Sequence, residues 1–564
     1  LAAIKGAVPF INFFDGFRTS HEIQKIETWD YDDLADMLDW DAVDAFRRRS
    51  LNPEHPVLRG TAQNDDIFFQ AKEAANKYYD AIPDVVADYM DKVNEKCGTN
   101  YKPFNYYGAP DAEKIIIAMG SVCDTAEEVI DYLTAKGEKI GLVKVRLYRP
   151  FSAKHLLDVI PETVKSITVL DRTKEPGSIG EPLYLDVLAA LNGSKFHNVS
   201  VFGGRYGLAS KDTNPGAIVA IYHNMDAAEP KKRFTVGIDD DVTFLSLPID
   251  ETPDTAPAGT TACKFWGLGA DGTVGANKNS IKIIGDKTDM YAQAYFAYDS
   301  KKSGGLTVSH LRFGHNPIKS TYYIHQADFV ACHNPAYIGK YDMIQDLKPG
   351  GSFLLNCPWD VEELGHRLSA EEKQYIAKNN INVYVIDGIK IGKEIGLGTR
   401  INTVLQAAFF KIANIIPIEQ AVEYMKEAAK KSYSKKGDAV VQMNYNAIDA
   451  GTQGAVKLEI PADWATTTEG HEPVHTALEG RQSVVNYVKN IQQPINAQRG
   501  NQLPVSTFVQ DADGTVPQGT AAYEKRGIAV DVPQWIADNC IQCNICSYVC
   551  PHSVIRPAAL TEGE

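Results

Sequence analysis

Short apolar runs alternate with helix-like stretches between residues 105 and 250, and this rhythm predicts successive strand–helix–strand units. The runs are continuous rather than alternating in polarity, which is typical of strands buried on both faces of a parallel sheet. The candidate strands of this part are KIIIAMG, GLVKVR, SITVLDR and NVSVFGG. We therefore expect an α/β domain over residues 105–250.

The same rhythm resumes over residues 255–460, after the linker IDETPDTAPAGTT. The candidate strands here are ACKFWGLG, MYAQAYFAY, LTVSHLRF, DFVAC, SFLLNC and INVYVI. Long helical patterns follow in INTVLQAAFFKIANI and PIEQAVEYMKEAAKK. The chain is thus predicted to be an α/β multidomain protein, with successive parallel or mixed sheets flanked by helices.

The remaining parts of the chain carry weaker patterns. Residues 1–104 open with PFINFF (residues 9–14), which predicts a buried strand, and then become helical, with Pro83 breaking or restarting a helix. Residues 461–525 are rich in Gln, Asn, Pro and Thr, and predict an irregular wrapping segment. Lys5 interrupts the first apolar stretch, so the N-terminus makes a poor signal peptide. We expect the chain to be cut at both ends.

Charge and cysteine usage exclude some classes of function. A formal charge of −15 argues against nucleic acid as a partner, because phosphate binding needs clustered Lys and Arg. The best apolar stretch is interrupted by Lys411 and Asn414, so no membrane span is expected. Five of the nine cysteines are isolated, and we interpret them as reduced, mostly buried thiols of a cytoplasmic protein.

The other four cysteines form the motif C-x2-C-x2-C-x3-C-P, with Cys540, Cys543, Cys546 and Cys550 before Pro551. This spacing is the bacterial ferredoxin signature for a [4Fe-4S] cluster. Zinc is the alternative, although zinc sites usually separate their ligands into two pairs and need no trailing proline. In two-cluster ferredoxins the fourth cysteine binds the other cluster. Residues 526–564 therefore predict the start of a two-[4Fe-4S] ferredoxin domain.

A glycine loop, GLGADG at residues 267–272, follows an apolar strand and precedes a helix. This is the context in which backbone N–H groups bind the diphosphate of a nucleotide cofactor. The acidic residue that should hold a ribose hydroxyl is out of place, because Asp286 and Asp289 precede the next strand and Asp299 arrives late. Lys301 and Lys302 follow Asp299 directly. Two lysines favour a ligand with an additional phosphate, such as NADP or coenzyme A. The pattern does not choose between them, and the glycines can also serve only helix–sheet packing.

Several of these segments together resemble the pyruvate:ferredoxin (flavodoxin) oxidoreductase family. They are FFDGFRTSHE, FWGLGADGTVGANKNSIKIIGDKTD, SKKSGGLTVSHLRFG, RGIAVDVPQW and NCIQCNICSYVCPHS, in the order that the family has them. The resemblance implies oxidative decarboxylation of pyruvate with thiamine diphosphate and Mg²⁺, and transfer of the acetyl group to coenzyme A. Electrons then leave through [4Fe-4S] clusters to ferredoxin or flavodoxin, in a cytoplasmic homodimer of anaerobic metabolism.

The resemblance also assigns the parts of the chain. Residues 1–104 resemble the C-terminal part of a thiamine (pyrimidine-binding) domain, residues 105–250 a transketolase C-terminal-like domain, and residues 255–460 a coenzyme A-binding domain. The string GDG, which holds thiamine diphosphate and Mg²⁺ in the family, does not occur. We therefore expect the chain alone to be inactive and its catalytic residues to lie elsewhere.

The predicted coenzyme A site combines the loop with three side chains. Backbone N–H groups of the junction between strand and helix would receive the diphosphate, and the residues of that junction are Gly269, Ala270, Asp271, Gly272 and Thr273. The resemblance adds Lys301 to meet a phosphate and Asn402 and Asn444 to bind adenine or pantetheine. For each asparagine, a helix cap or turn is the structural alternative.

Two other functions stay open. One is an electron-transfer and coenzyme A-binding subunit of another 2-oxoacid oxidoreductase, and the other is an NADP-linked iron–sulfur reductase. Asp15, Arg18 and His21 are catalytic residue types, but we expect them to shape a strand-to-helix turn. Ion pairs at a sheet edge are the structural interpretation for Arg149 and for Asp171 with Arg172.

Overall fold

The computed structural model of the chain describes residues 1–299, 304–471, 478–524, 533–551 and 553–559. Residues 1–524 form one compact unit and residues 525–564 a second. Helices flank a mixed and a largely parallel sheet, which confirms the predicted α/β class. The predicted domain boundaries within residues 1–524 stay a prediction.

The N-terminal part is helical. Its elements are α1 (Ala2–Gly6), β1 (Glu22–Gln24), α2 (Tyr31–Met37), α3 (Trp40–Arg48), α4 (Phe68–Glu73), α5 (Asn76–Asp80) and α6 (Ile82–Cys97). Pro83 lies in the first turn of α6, where its missing N–H is not needed, so the predicted restart at this proline is confirmed. Gly98 ends α6 in the left-handed conformation, with φ of 65°.

The strand predicted for PFINFF is wrong. Residues 9–14 form no strand, and Ile11, Phe13 and Phe14 are largely exposed. A strand needs a hydrogen-bonded neighbour as well as apolar side chains, and the described residues place no strand opposite this run. Glu22–Gln24, which has a weaker apolar pattern, is the segment that joins a sheet.

The first sheet has six strands. They are β2 (Phe104–Gly108), β3 (Lys114–Ala118), β4 (Ile140–Val145), β5 (Ser166–Asp171), β6 (Ser200–Arg205) and β7 (Arg233–Thr235). Their order is β2-β4-β3-β5-β6-β7, and every neighbouring pair except β2 with β4 is parallel. The helices are α7 (Val122–Thr134), α8 (Ala153–Leu157), α9 (Pro182–Leu191) and α10 (Pro215–Asp226).

Successive side chains of β3 point to opposite faces of the sheet and therefore belong to two separate hydrophobic cores. Ile116 packs with α7 and α10 on one face, whereas Ile115 and Ile117 pack with α8 and α9 on the other. All three isoleucines are fully buried. Burial on both faces explains why the run reads as continuously apolar in the sequence.

The second sheet has eight strands in the order β1-β9-β10-β8-β11-β12-β13-β14. Its further strands are β8 (Thr261–Leu268), β9 (Tyr291–Tyr298), β10 (Leu306–Gly314), β11 (Ala327–Cys332), β12 (Leu347–Asn356), β13 (Asn382–Ile386) and β14 (Val456–Lys457). Strands β8, β11, β12 and β13 are mutually parallel, and the others pair antiparallel. The sheet is therefore mixed.

Helices cover both faces of the second sheet. They are α11 (Thr273–Lys287), α12 (Val361–Arg367), α13 (Ala370–Lys378), α14 (Gly388–Ile395), α15 (Asn402–Ala413), α16 (Ile418–Tyr433) and α17 (Asp438–Gly454). Phe265 and Phe409 meet edge to face in the core beneath α15, with their ring centroids 5.0 Å apart. Trp266 and Trp464 lie in the core of the opposite face.

Residues 461–524 run over the rest of this unit. Their elements are α18 (Gln482–Tyr487), a π-helical turn (Val488–Gln492) and α19 (Gln493–Asn496). Arg499 pairs with Asp342 beside the second sheet, and Ser506 binds Asp241 after the first. These contacts tie the described part of the segment to the rest of the unit, and its assignment as a wrapping segment stays a prediction.

The second unit contains α20 (Ile545–Val549). No helix in the described part of the chain combines the length and the apolarity needed to cross a bilayer.

Candidate functional site

The carboxyl ends of β8, β11, β12 and β13 meet along one edge of the second sheet, because these strands are parallel. Ligands of α/β proteins bind at this edge, outside the ends of parallel strands. The predicted glycine loop lies here, between the end of β8 at Leu268 and the start of α11 at Thr273. The structure therefore confirms the strand–loop–helix context that the motif requires.

The carboxylate of Asp271 holds the loop in shape. It accepts hydrogen bonds from the backbone N–H of Leu268 at 2.8 Å and of Thr273 at 2.7 Å. The N–H of Asp271 itself donates to the carbonyl of Leu268 at 3.0 Å, and that of Gly269 donates to Gly305 at 2.7 Å. Gly272 has a φ of 91°, in the left-handed region that favours glycine.

The hydrogen bonds within the loop leave few of its backbone N–H groups free to bind a ligand. Of the five predicted diphosphate-binding residues, Gly269, Asp271 and Thr273 already use their N–H groups within the protein. The N–H groups of Ala270 and Gly272 have no hydrogen-bond partner among the described residues. An anion at the start of α11 is accordingly expected at Ala270 and Gly272, where the helix dipole also favours negative charge.

Asn402 lies beside the loop. A Cβ atom on Gly272 would stand 3.2 Å from the side-chain carbon Cγ of Asn402, at the start of α15. Residue 402 is 130 positions from the loop in sequence, and the packing of α15 over the sheet brings the two together. Its amide has no hydrogen-bond partner among the described residues, so it is free to bind a ligand.

Asn444 lies farther from the loop, in α17. Its side chain is buried, donates to the carbonyl of Val440 at 2.8 Å and accepts from the Thr403 hydroxyl at 3.3 Å. These bonds tie α17 to α15 and are neither the helix cap nor the turn that was the structural alternative. Lys301 lies outside the described residues.

The sequence reasoning missed a buried histidine next to the loop. His333 follows β11, and its Nδ1 is 2.7 Å from the hydroxyl of Thr273. Burial lowers the pKa of His333 to about 4, although the charge of Asp271 opposes the shift. The ring is therefore neutral near pH 7, and it fixes the first residue of α11 in place.

Asn356 extends this contact across the edge of the sheet. Its amide donates to the carbonyl of His333 at 2.9 Å and accepts from the N–H of Gly388 at 3.0 Å. The ends of β11, β12 and β13 are tied together in this way. The available sequence signal was a polar residue directly after an apolar strand, in FVACHN and FLLNC.

Of the residues interpreted as an ion pair at the edge of the first sheet, Arg172 forms one, whereas Asp171 binds backbone N–H groups instead. Asp15 pairs with Arg172 at 2.8 Å and accepts the N–H of Ser121. Asp171 accepts from the N–H groups of Leu183 and Tyr184, both at 3.0 Å.

Two further candidates, Arg149 and His21, also form contacts within the protein. Arg149 pairs with Asp186 at 2.7 Å. His21 stacks edge to face on Tyr298, with a centroid distance of 5.4 Å.

The four-cysteine segment lies in the second unit. Cys540, Cys543 and Cys546 are exposed and Cys550 is partly buried, and none of the four is in a disulfide within the described residues. Gln542 and Asn544 have left-handed φ angles of 55° and 59°, so the backbone turns between successive cysteines. Cysteine thiolates are the ligands that [4Fe-4S] clusters use, and the donor set fits such a cluster.

The described residues contain no converged group of three metal ligands. The cluster assignment therefore rests on the type and spacing of the cysteines and on the turns between them. The fold and this segment together define an α/β iron–sulfur protein.

Family models extend this class to most of the chain. The model described as pyruvate ferredoxin/flavodoxin oxidoreductase matches residues 262–454, and the core domain II of pyruvate:ferredoxin oxidoreductase matches residues 112–213. The thiamine diphosphate-binding model of pyruvate flavodoxin/ferredoxin oxidoreductase matches residues 1–91. A 4Fe-4S binding domain matches residues 533–556, and a domain of unknown function matches residues 475–529.

Whole sequences agree with the family models. The chain is 56% identical to a pyruvate-flavodoxin oxidoreductase of Enterobacter agglomerans, over 100% of this chain and 48% of that protein. It is 57% identical to the pyruvate:ferredoxin oxidoreductase of Moorella thermoacetica, over 99% of this chain and 47% of that protein. The chain belongs to the pyruvate ferredoxin/flavodoxin oxidoreductase family. It spans about half the length of these relatives.

A solved structure also overlaps part of the chain. The pyruvate oxidoreductase subunit PORC of Thermotoga maritima covers 36% of this chain and 99% of its own, with 17% identity and a TM-score of 0.30.

Proposed function

We propose that the protein oxidises pyruvate to acetyl-CoA and CO₂ and passes the electrons through iron–sulfur clusters to ferredoxin or flavodoxin. The proposal rests on one observation: a glycine loop at the carboxyl edge of a sheet and a four-cysteine ferredoxin motif occur in the same chain. The names of its relatives point to the same substrate and acceptors. The activity is proposed for the complete enzyme, a cytoplasmic homodimer with thiamine diphosphate and Mg²⁺.

The loop and its neighbours would bind coenzyme A. The free N–H groups of Ala270 and Gly272 receive the diphosphate, and the amide of Asn402 binds the adenine or the pantetheine arm. Lys301 meets a further phosphate as a point charge. Asn444 supports Asn402 indirectly, because it accepts the hydroxyl of Thr403.

Bound thiamine diphosphate supplies the carbanion chemistry of decarboxylation in such enzymes. The part played by this chain is to hold coenzyme A and to offer an outlet for electrons. Cys540, Cys543, Cys546 and Cys550 would hold cluster iron, which accepts electrons singly rather than as hydride.

The test is anaerobic viologen reduction by the complete enzyme, with pyruvate and coenzyme A supplied separately and together. We expect rapid reduction only when both are present, and none when NADP replaces coenzyme A. Reduction with 2-oxoglutarate and not pyruvate would favour another 2-oxoacid oxidoreductase, and reduction driven by NADPH alone would favour the reductase.

A pair of glycine variants tests the coenzyme A site within the same assay. Gly272→Ala places a Cβ 3.2 Å from Asn402 at a position with positive φ, so it should raise the KM for coenzyme A at least tenfold. Gly275→Ala is the matched control, because a Cβ there meets no atom within 4 Å. Equal KM values for the two variants would move the site away from the loop.

A further inference from the structure

A small cavity lies where the N-terminal segment meets the carboxyl edge of the first sheet. Its volume is about 10 Å³, room for roughly one water-sized particle, and it is partly open to solvent. Its lining comes from five separate stretches of chain and includes Arg18, Ser121, Arg172, Lys211, Thr213 and Thr321. Neither the glycine loop nor the cysteine segment contributes to it.

Arg18 enters the cavity with an unused donor. Its side chain is 4% exposed, and its Nη2 pairs with Asp212 at 2.9 Å and donates to the carbonyl of Ser210 at 2.9 Å. The guanidinium also lies over the ring of Tyr323, 4.1 Å from the centroid. Its Nη1 is buried and has no hydrogen-bond partner among the described residues. A buried N–H donor without an acceptor is unfavourable, so this atom indicates a missing partner.

Lys211 is the second cation of the cavity with an unused donor group. Its side chain is half-buried, and no acidic group in the described part of the chain forms an ion pair with it. Burial lowers the pKa of Lys211, and the nearby charge of Asp212 opposes the shift. The half-buried ammonium group therefore has no carboxylate partner within the described residues.

A charge count gives the valence of that partner. The cavity is lined by three cations, Arg18, Arg172 and Lys211. The two acids that face them are Asp15, which pairs with Arg172, and Asp212, which pairs with Arg18. Asp212 is shared further, because His325 lies 3.0 Å from its second oxygen. The lining cations therefore exceed the carboxylates paired with them in the described residues by one, and Lys211 is the cation left over.

We propose that this cavity binds a small monovalent anion of the size of chloride, held by Arg18 Nη1 and the ammonium group of Lys211. The space is far too small for a nucleotide, and a single negative charge balances the cluster. The hydroxyl of Thr213 lines the same cavity and can donate to the ion. A bound anion would link the N-terminal segment to the loop after β6, and so brace the first sheet against residues 15–22.

The line width of the chloride-35 NMR signal tests the proposal on the purified protein. We expect excess broadening that saturates with chloride and disappears when bromide competes. Lys211→Gln should weaken chloride binding at least tenfold, whereas Lys211→Arg, which keeps the charge, should stay within about threefold of the wild type. Lys174→Gln is the matched control, since Lys174 is exposed in the loop after β5.

Thermal unfolding gives an independent measurement. At equal ionic strength, chloride should raise the unfolding midpoint of the wild type above its value in gluconate, and the difference should vanish in Lys211→Gln. The proposal is overturned if the wild type shows no saturable broadening, or if Lys211→Gln binds chloride as tightly as Lys174→Gln does.

Discussion

At the residue scale, the chemistry of the glycine loop depends on which donors remain free. The carboxylate of Asp271 binds two backbone N–H groups and so holds the loop in shape. Only the N–H groups of Ala270 and Gly272 are then free, among the loop residues, to bind an anion. Two backbone donors are few for a diphosphate, which makes a nearby cation more important. Lys301 is the candidate, and Gly305 beside it in sequence already touches the loop through Gly269.

Lys301→Ala should weaken coenzyme A binding by roughly one to two orders of magnitude, because a charge-assisted hydrogen bond contributes about 1.5 to 3 kcal/mol. Titration calorimetry of the complete enzyme measures this directly. Lys282→Ala, an exposed lysine on α11, is the control and should bind normally. NADP binding should be undetectable in all three proteins. An unchanged affinity in Lys301→Ala would remove this residue from the site.

His333 predicts a pH dependence of stability. Burial holds its folded-state pKa at about 4, below the ordinary value of about 6.5, so the unfolded state binds the proton more tightly. Its contribution is complete above pH 6.5 and is lost as the pH falls toward 4, by about 3 kcal/mol in total. Denaturant unfolding of the wild type and of His333→Gln at pH 4.5 and 7 measures the effect.

The difference between these two proteins isolates His333, because the other buried histidine, His310, titrates in both. The wild type should lose more stability than the variant on acidification. Parallel losses in the two proteins would mean that His333 is accessible to protons in the folded state.

At the scale of elements, helix α7 connects the two sheets through a buried carboxylate. Glu128 accepts hydrogen bonds from the Ser320 hydroxyl at 2.7 Å and the Tyr322 hydroxyl at 3.0 Å. The guanidinium of Arg312 is buried nearby and lies over the ring of Tyr322. Helix α7 covers the first sheet, whereas the three partners lie in or after β10 of the second.

Glu128→Ala should destabilise the protein by about 2 to 4 kcal/mol, because it leaves the buried hydroxyls of Ser320 and Tyr322 without their acceptor and removes a negative charge near Arg312. The measurement is the free energy of unfolding in denaturant. Glu162→Ala is the control: its carboxylate pairs with Lys195 on the surface, and its loss should cost about 1 kcal/mol or less. Comparable effects of the two substitutions would show that the two sheets do not depend on this contact.

The strands and helices themselves followed from local patterns. The apolar runs of β3, β4, β5, β8 and β11 were predicted because burial on both faces leaves few polar positions in the strand. PFINFF has an equally apolar composition and forms no strand, since pairing depends on a neighbour that composition does not reveal. The pairing of β1 with β9 was missed for the same reason.

At the scale of the whole molecule, the two candidate sites lie in different compact units, the loop in residues 1–524 and the cysteines in residues 525–564. Removing a cluster ligand should therefore leave the folding of the larger unit unchanged. Cys543→Ser is expected to lower the iron and sulfide content of the anaerobically purified enzyme and to abolish viologen reduction.

Cys97→Ser is the control, because Cys97 is a partly buried free thiol at the end of α6 and lies in the larger unit. It should keep both the iron and the activity. Full iron content in Cys543→Ser would show that this cysteine is not a ligand. Zinc instead of iron in the purified enzyme would support the alternative of a tetrahedral zinc site.

The sequence by itself determined the α/β class, the junction at Gly272 and the spacing of the cysteines, because each is a local signal. Periodicity reports burial, a positive φ calls for glycine, and cluster ligands repeat at short intervals. The tertiary structure alone decided which distant side chains meet: Asn402 beside Gly272, His333 on Thr273, and Arg18 with Lys211 in one cavity. Those contacts depend on strand order and helix packing, and no short stretch of sequence contains that information.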